Sequence, residues 1–264
     1  MDEKIAIMTE KQNPWILRRA AMEIKNHYPG VTINRPERRE LTYFVNYAVM
    51  TKSQSRRPGI KVGHFTHLEE GPPWRQVFID HARICDYMTV TCDKTRDILL
   101  SMGVGEHRIR KIPYGHSFKP DEPHKVRFGV CGRTYPSGRK GEWMIEKAVE
   151  EGYEILAWGR GWPVPEENRL GDDPDHQEFF WSKINYLLVT STNEGGPVPV
   201  IEAIARGIPV IAPNVGWCWD FPVIRFRIND WDSLRGVMYK LVHPPTWKQW
   251  ADRHMDFFKE ILTG

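Results

Sequence analysis

Short apolar runs alternate with stretches of helical periodicity along the whole chain. KIAIM (Lys4–Met8) reads as a strand. The helix NPWILRRAAMEIKNHY follows, with Asn13 as N-cap, Pro14 at the first helical position and Gly30 past its end. VTIN, YFVNYAVM and IKVGHFT read as strands, PPWRQVFIDHARIC as a helix and YMTVT as a strand. DKTRDILLSMG is a helix with an Asp93 cap and a Gly103 stop, and IRKIPY is extended.

The pattern breaks at GHSFKPDEPHK (115–125), which is polar and holds two prolines. It then restarts, with VRFGVCG, EILAWG, YLLVTS, PVIAPN and VIRFRI as strands. Helices are read at GRKGEWMIEKAVEEG, from Pro197 through PVPVIEAIA, at DWDSLRGVMYKLV and at TWKQWADRHMDFFKEIL. Continuous apolar strands separated by helices call for parallel sheets covered on both faces. The expectation is therefore α/β: two Rossmann-like, doubly wound domains, 1–118 and 119–264, with their sheets facing a cleft. In such domains ligands bind beyond the carboxyl ends of the strands. In the second half those ends carry the loops CGRTYPSGRKG, WGRGWP and STNEGG.

Composition changes this picture little. At 264 residues, with 41% hydrophobic and 27% charged residues, the chain has globular values throughout. A net charge of +3 favours anionic ligands weakly and is far from that of a nucleic-acid-binding tail. Cys85, Cys92, Cys131 and Cys218 form no C-x-x-C pair, so neither a zinc site nor a disulfide framework is expected. The segment MDEKIAIMTEK lacks the apolar run of a signal peptide, and no stretch is long enough for a spanning helix. A cytoplasmic protein is expected.

Two loops carry candidate chemistry. Cys131–Gly141 enters its helix through Gly132, Gly138 and Gly141 and bears Arg133, Arg139 and Lys140, cations suited to an anion at a helix N-terminus. Taken alone, it reads equally as a solvated basic turn; without a Gly-Lys-Ser/Thr ending it is not a Walker A loop. In STNEGGPVPVIEAIARGIPVIAPN, Glu194 precedes Gly195 and Gly196, which let a ligand approach the backbone. Glu202 lies five residues, about 7.5 Å, into an otherwise apolar helix that starts near Pro197. It either meets ligand hydroxyls or forms an exposed i,i+4 pair with Arg206.

The stretch STNEGGPVPVIEAIARGIPVIAPNVG resembles the donor-site signature of family-four retaining glycosyltransferases of GT-B fold, whose two glutamates are separated by seven intervening residues, as Glu194 and Glu202 are. CDYMTVTCDKTRDILLSMGVGEHRIRKIPYGHSFKP is similar to that family's segment ending in IPNG, with Tyr114 in place of Asn, and VRFGVCGRTYPSGRKG to its phosphate loop. The resemblance implies a metal-independent enzyme without a bound cofactor, taking a nucleoside-diphosphate-sugar (UDP or another base) as co-substrate. It implies that Arg133 and Lys140 bind the diphosphate, that Glu202 accepts from the ribose, and that Glu194 meets the transferred sugar beside the Gly195 and Gly196 amides. His67, with His64 as competitor, would face the donor sugar, and the last helix would pack back on the first domain. Asp86 and Glu69 are further carboxylates with no assigned role.

The first loop, IMTEKQNPWIL, departs from the family in lacking glycine. The acceptor stays open among a glycan, a lipid-linked sugar, a protein and a modified DNA base. Seven arginines (Arg18, Arg19, Arg35, Arg38, Arg39, Arg56 and Arg57) give the first half a basic cast that suits DNA and solvent equally. A glycosyltransferase-like binding module without turnover is the other class of function. GVGEHR and GRGWPV both fail the dinucleotide fingerprint, and DPD (Asp173–Asp175) and DWD (Asp230–Asp232) read as structural.

Overall fold

The computed structural model describes residues 1–10, 16–68, 71, 73–116 and 125–264. The helix start at Asn13 and Pro14, Glu69 and most of the 115–125 boundary lie outside the described residues. The chain divides into two compact units, Met1–Phe118 with Pro245–Gly264, and Lys119–Pro244.

In the first unit, strands β1 (Ile5–Met8), β2 (Thr32–Ile33), β3 (Leu41–Phe44), β4 (Ile60–Phe65), β5 (Tyr87–Val90) and β6 (Ile109–Lys111) form one sheet in the order β2-β1-β3-β4-β5-β6. Every pairing in it is parallel. Its helices are α1 (Ile16–His27), α2 (Lys52–Ser55), α3 (Trp74–Ile84) and α4 (Asp93–Ser101). The apolar run YFVNYAVM is strand only to Phe44; Asn46 then accepts from the Ala48 N–H and starts a 3-10 turn at Tyr47–Val49. That turn lets Tyr47 stack on Phe65, with ring centroids 4.8 Å apart. Asp93 is the first residue of α4 rather than its cap, and its carboxylate instead binds Lys111. Gly103 does close α4, at φ 84°, while Val104 N–H bonds the Leu99 carbonyl.

The second unit holds β7 (Arg127–Cys131), α5 (Glu142–Glu150), β8 (Glu154–Trp158), α6 (Gln177–Lys183), β9 (Tyr186–Leu188), α7 (Val198–Ala205), β10 (Val210–Ala212), β11 (Ile224–Arg225) and α8 (Trp231–Val242). Its sheet runs β11-β10-β9-β7-β8, again wholly parallel. Both units are thus the parallel α/β layers that the apolar runs predict. Helix α5 turns Met144, Ile145 and Ala148 inward and α8 turns Leu234 and Met238, so each presents one apolar stripe to the sheet. The sequence reading missed α6, whose Phe180 and Trp181 are buried beside β8 and β9.

After Pro244 the chain returns to the first unit as α9 (Trp247–Thr263). Thr246 and Gln249 form a capping box at its start. Trp247, Trp250, Ala251, His254, Met255 and Phe258 fall at helical spacing and are buried with Ile5, Ile24 and Leu41. Tyr28 donates to Asp252 at 2.8 Å, tying α1 to α9. A polar chain crosses this core. Tyr43 meets His254 at 3.0 Å and Thr89 at 3.3 Å, and His64 meets Thr89 at 2.8 Å and Tyr114 at 3.1 Å.

Candidate functional site

In the second sheet the chain leaves β7 toward β8 on one side and later returns as β9 on the other. Connections therefore diverge between β7 and β9, and a parallel sheet opens a crevice beyond its carboxyl edge at that point. The two loops bordering it, after β7 and after β9, are the two that carry the candidate residues.

The loops are stitched together by backbone and hydroxyl groups. Thr192 N–H donates to the Arg139 carbonyl at 2.9 Å, and Thr190 Oγ1 donates to the Lys140 carbonyl at 2.6 Å. Gly141, which starts α5, has φ 70°, and a side chain there would collide with the Thr190 carbonyl. The β7 loop is also held to the loop after β8. Gly132 N–H bonds Trp158 O at 2.9 Å, Thr134 N–H bonds Arg160 O at 3.0 Å, and Trp162 Nε1 donates to Gly132 O at 2.9 Å. Thus WGRGWP, unsuited to a dinucleotide, serves as the second wall of the basic loop.

Three cations line the result, in different states. Arg133 is exposed and makes no hydrogen bond or ion pair among the described residues. It borders a cavity of about 280 Å³ with Gly132, Trp158, Gly159, Arg160 and Asp172. Arg139 lies over the Tyr135 ring, 4.1 Å from its centroid, and donates to Asn193 O at 3.1 Å. Lys140 is committed inward: its ammonium is ion-paired and hydrogen-bonded to Oε1 of Glu194.

Glu194 is the most enclosed charge of the group, its side chain only 10% exposed. Ser191 Oγ donates to the same Oε1 at 2.8 Å, and Arg139 stands 3.6 Å from Oε2. Burial pushes this carboxyl up, but the bonds from Lys140 and Ser191 and the nearby cations outweigh it and hold the group below the usual range. Lys140, Ser191 and Glu194 also line a cavity of about 30 Å³, which has room for a water and for nothing larger.

Gly195 has open space where a side chain would be, whereas Gly196 lies against the face of Trp217. Glu202 is half-buried and accepts from Gln177 Nε2 at 3.3 Å. Its charge also helps raise the Cys131 thiol, which burial chiefly pushes up to about 12, while Lys140 opposes it. Glu202 and Lys140 therefore both act on the carboxyl end of β7. The alternative pairing with Arg206 is not made: that guanidinium binds Glu178 at 2.6 Å, lies over Trp181, and touches only the backbone carbonyl of Glu202. Arg133, Lys140, Glu194, Gly195, Gly196 and Glu202 thus fall on one edge of one sheet.

The histidines and spare carboxylates fare differently. His67 belongs to the first unit, two residues past β4, exposed and 3.0 Å from Thr66 Oγ1. His64 is fully buried in the polar chain described above, so it is withdrawn as a candidate for touching a ligand. Asp86 accepts from the Lys61 N–H at 2.8 Å at the amino-terminal edge of the first sheet, away from any carboxyl-edge site. Asp173 and Asp230 cap a 3-10 turn and α8. The sequence reading overlooked Ser191, Thr190 and Thr192; a polar TST run leaving an apolar strand was the available signal. No helix of the described residues is long and apolar enough to cross a membrane.

No protein-family model and no curated protein sequence matches the chain. Several solved structures are similar to it. Over 94% of this chain and 93% of the other, it is 12% identical to the lipopolysaccharide outer core galactosyltransferase WaaB in its apo form, at a TM-score of 0.41. Over the same shares it is 13% identical to Anabaena HepE in complex with UDP and glucose, at a TM-score of 0.38. Over 96% of this chain and 81% of the other, it is 15% identical to sucrose-phosphate synthase from Thermosynechococcus elongatus, at a TM-score of 0.39. Likenesses of this size carry no argument about chemistry; the fold rests on the chain's own strand orders and parallel registers.

Proposed function

We propose that the chain is a retaining glycosyltransferase of GT-B fold, which moves a sugar from a nucleoside-diphosphate-sugar to an acceptor hydroxyl. One observation carries the reading: a lysine–glutamate pair sits at the β7/β9 divergence of a parallel sheet, with an unpaired arginine on the β7 loop, facing the loop after β8, and a second glutamate on α7. The sequence resemblance supplies the roles, and the geometry is compatible with each.

In this reading Arg133 grips the donor diphosphate, since a guanidinium without a protein partner can offer its planar fork to phosphate. Lys140 adds a point charge where the leaving nucleotide gathers negative charge, and a cation fixed in advance needs no reorganisation at that moment. Glu194 accepts from hydroxyls of the transferred sugar, next to the open backbone at Gly195. Glu202 accepts from the ribose. Protein cations meet the diphosphate charge in this scheme, so we propose turnover without a metal or a bound cofactor. The acceptor and His67 lie outside the proposal.

The test is release of nucleoside diphosphate from a panel of UDP-, GDP- and ADP-linked sugars, with CMP-linked sugars, which release a monophosphate, as the contrast. Wild-type protein should consume one donor class with retention at the anomeric carbon, read by NMR. Glu194→Gln should lower the rate on the order of a hundredfold, the usual cost of losing one preorganised polar contact to a transition state. A wild-type rate in Glu194→Gln would remove Glu194 from the mechanism. Binding without any turnover would make the chain a binding module.

A further inference from the structure

Nothing in the resemblance or the proposed function gives Ser191 a task, yet it lies at the centre of the candidate site. It is 2% exposed and sits between two threonines that are both spent on the neighbouring loop. Thr190 binds the Lys140 carbonyl, and Thr192 binds the Arg139 carbonyl through its N–H at 2.9 Å and its hydroxyl at 3.3 Å. Those bonds fix the backbone that carries both cations. The Ser191 hydroxyl points elsewhere, to Oε1 of Glu194 at 2.8 Å, the same oxygen that Lys140 holds. Oε2 has only Arg139, at 3.6 Å.

We propose that Ser191 is a positioning residue: its hydroxyl and the Lys140 ammonium anchor Oε1 of Glu194, leaving Oε2 as the oxygen free to accept from a ligand hydroxyl. The proposal rests on reading this edge as a nucleotide-sugar site. Its physical logic is that a carboxylate on a loop has two equivalent oxygens and a free torsion, so an unanchored one samples orientations. Anchoring one oxygen by two donors fixes the direction of the other before a ligand arrives. A glycine-flanked loop such as Asn193–Gly196 supplies little stiffness of its own, which is why the anchor must come from Ser191 on the strand side. The same donor also stabilises the ionised carboxylate, so its loss has a signature beyond packing.

The decisive measurement is the titration of Glu194 in protein carrying ¹³C at the glutamate side-chain carboxyls, with the resonance assigned by its loss in Glu194→Gln. Ser191→Ala should raise the midpoint by about one pH unit, a tenfold change in proton affinity. An unchanged midpoint in a folded Ser191→Ala protein overturns the proposal. If that variant does not fold, Ser191→Cys, whose thiol is a weak donor, carries the same comparison. Alongside it, UDP-induced thermal stabilisation and donor consumption are measured for wild type and variant. The expected result is a retained UDP shift, KM within about twofold and kcat reduced about tenfold or more. A wild-type protein that binds no nucleotide would refute the functional reading, while the titration would still decide the role of Ser191.

Discussion

Replacing His254 by glutamine should roughly halve the acid sensitivity of the first unit. His64 and His254 are fully buried, 6.3 Å apart between ring centroids, and the groups facing them are the hydroxyls of Tyr43, Thr89 and Tyr114 and the Trp250 carbonyl. None of these is a carboxylate that could stabilise an imidazolium. Burial therefore holds His64 down at about 4, from an ordinary 6.5. It holds His254 at about 3, where the Trp250 carbonyl opposes the shift and the charge of His64 adds to it. Both histidines are neutral in the folded and unfolded chain above the ordinary value, so nothing changes there. As pH falls below 6.5 the unfolded chain takes up two protons that the folded core refuses, and stability is lost until the folded values are reached.

The size follows directly. Each refused proton costs about 1.36 kcal/mol per pH unit, so at about pH 5 each histidine removes roughly 2 kcal/mol and the pair roughly 4. Against a typical total of about 5–15 kcal/mol that is a large fraction. The assay is urea unfolding followed by far-UV circular dichroism at intervals between about pH 7 and 5, above most carboxylate titrations. Glutamine keeps a donor and an acceptor for Tyr43 and the Trp250 carbonyl but cannot titrate. Wild type and His254→Gln should therefore differ in slope as well as in level. Equal slopes, or a wild-type stability that is flat from about pH 7 to 5, would refute the argument that burial keeps this pair neutral.

Two further outcomes are expected. Gly141→Ala forces a side chain into a left-handed residue and onto the Thr190 carbonyl, so it should cost about 2 kcal/mol or more and weaken nucleotide binding by separating the two loops; calorimetric melting and titration with UDP would show both, and an unperturbed variant would mean the loops are not held as described. Asp230→Ala removes the carboxylate that accepts from the Ser233 N–H at 2.9 Å, and should cost about 1 kcal/mol in thermal unfolding without changing nucleotide affinity.

Most of the fold was legible because parallel strands buried on both faces leave continuous apolar runs such as IAIM, RFGVC and EILAW, each of which is a strand in the structure. YFVNYAVM misled because a run of apolar residues does not distinguish a strand from a 3-10 turn packed on the same core; only Asn46, a capping type inside the run, marked the break. Helix α6 was missed because its apolar pair, Phe180 and Trp181, is too short for periodicity to register. In the site, charges and glycines were visible as types at fixed spacing. Their pairings were not: sequence cannot say that Lys140 turns inward to Glu194 while Arg133 is left unpaired, since that depends on which strands are neighbours. His64 competed with His67 for the ligand-facing role, but it lies within β4, whose second half is buried on both faces of the sheet.

The carboxyl edge of the second sheet should bind a nucleoside diphosphate through Arg133. Thermal unfolding with saturating UDP, GDP and ADP, and with CMP as a monophosphate control, reads this binding. A ligand at about a hundred times its dissociation constant adds about 2.7 kcal/mol, or roughly 5–10 °C for a chain near this size. A shift of that order is expected with one nucleoside diphosphate and its sugar conjugates, lost in Arg133→Ala while the unliganded melting temperature stays unchanged. No shift with any nucleotide, or a shift that survives Arg133→Ala intact, would contradict it.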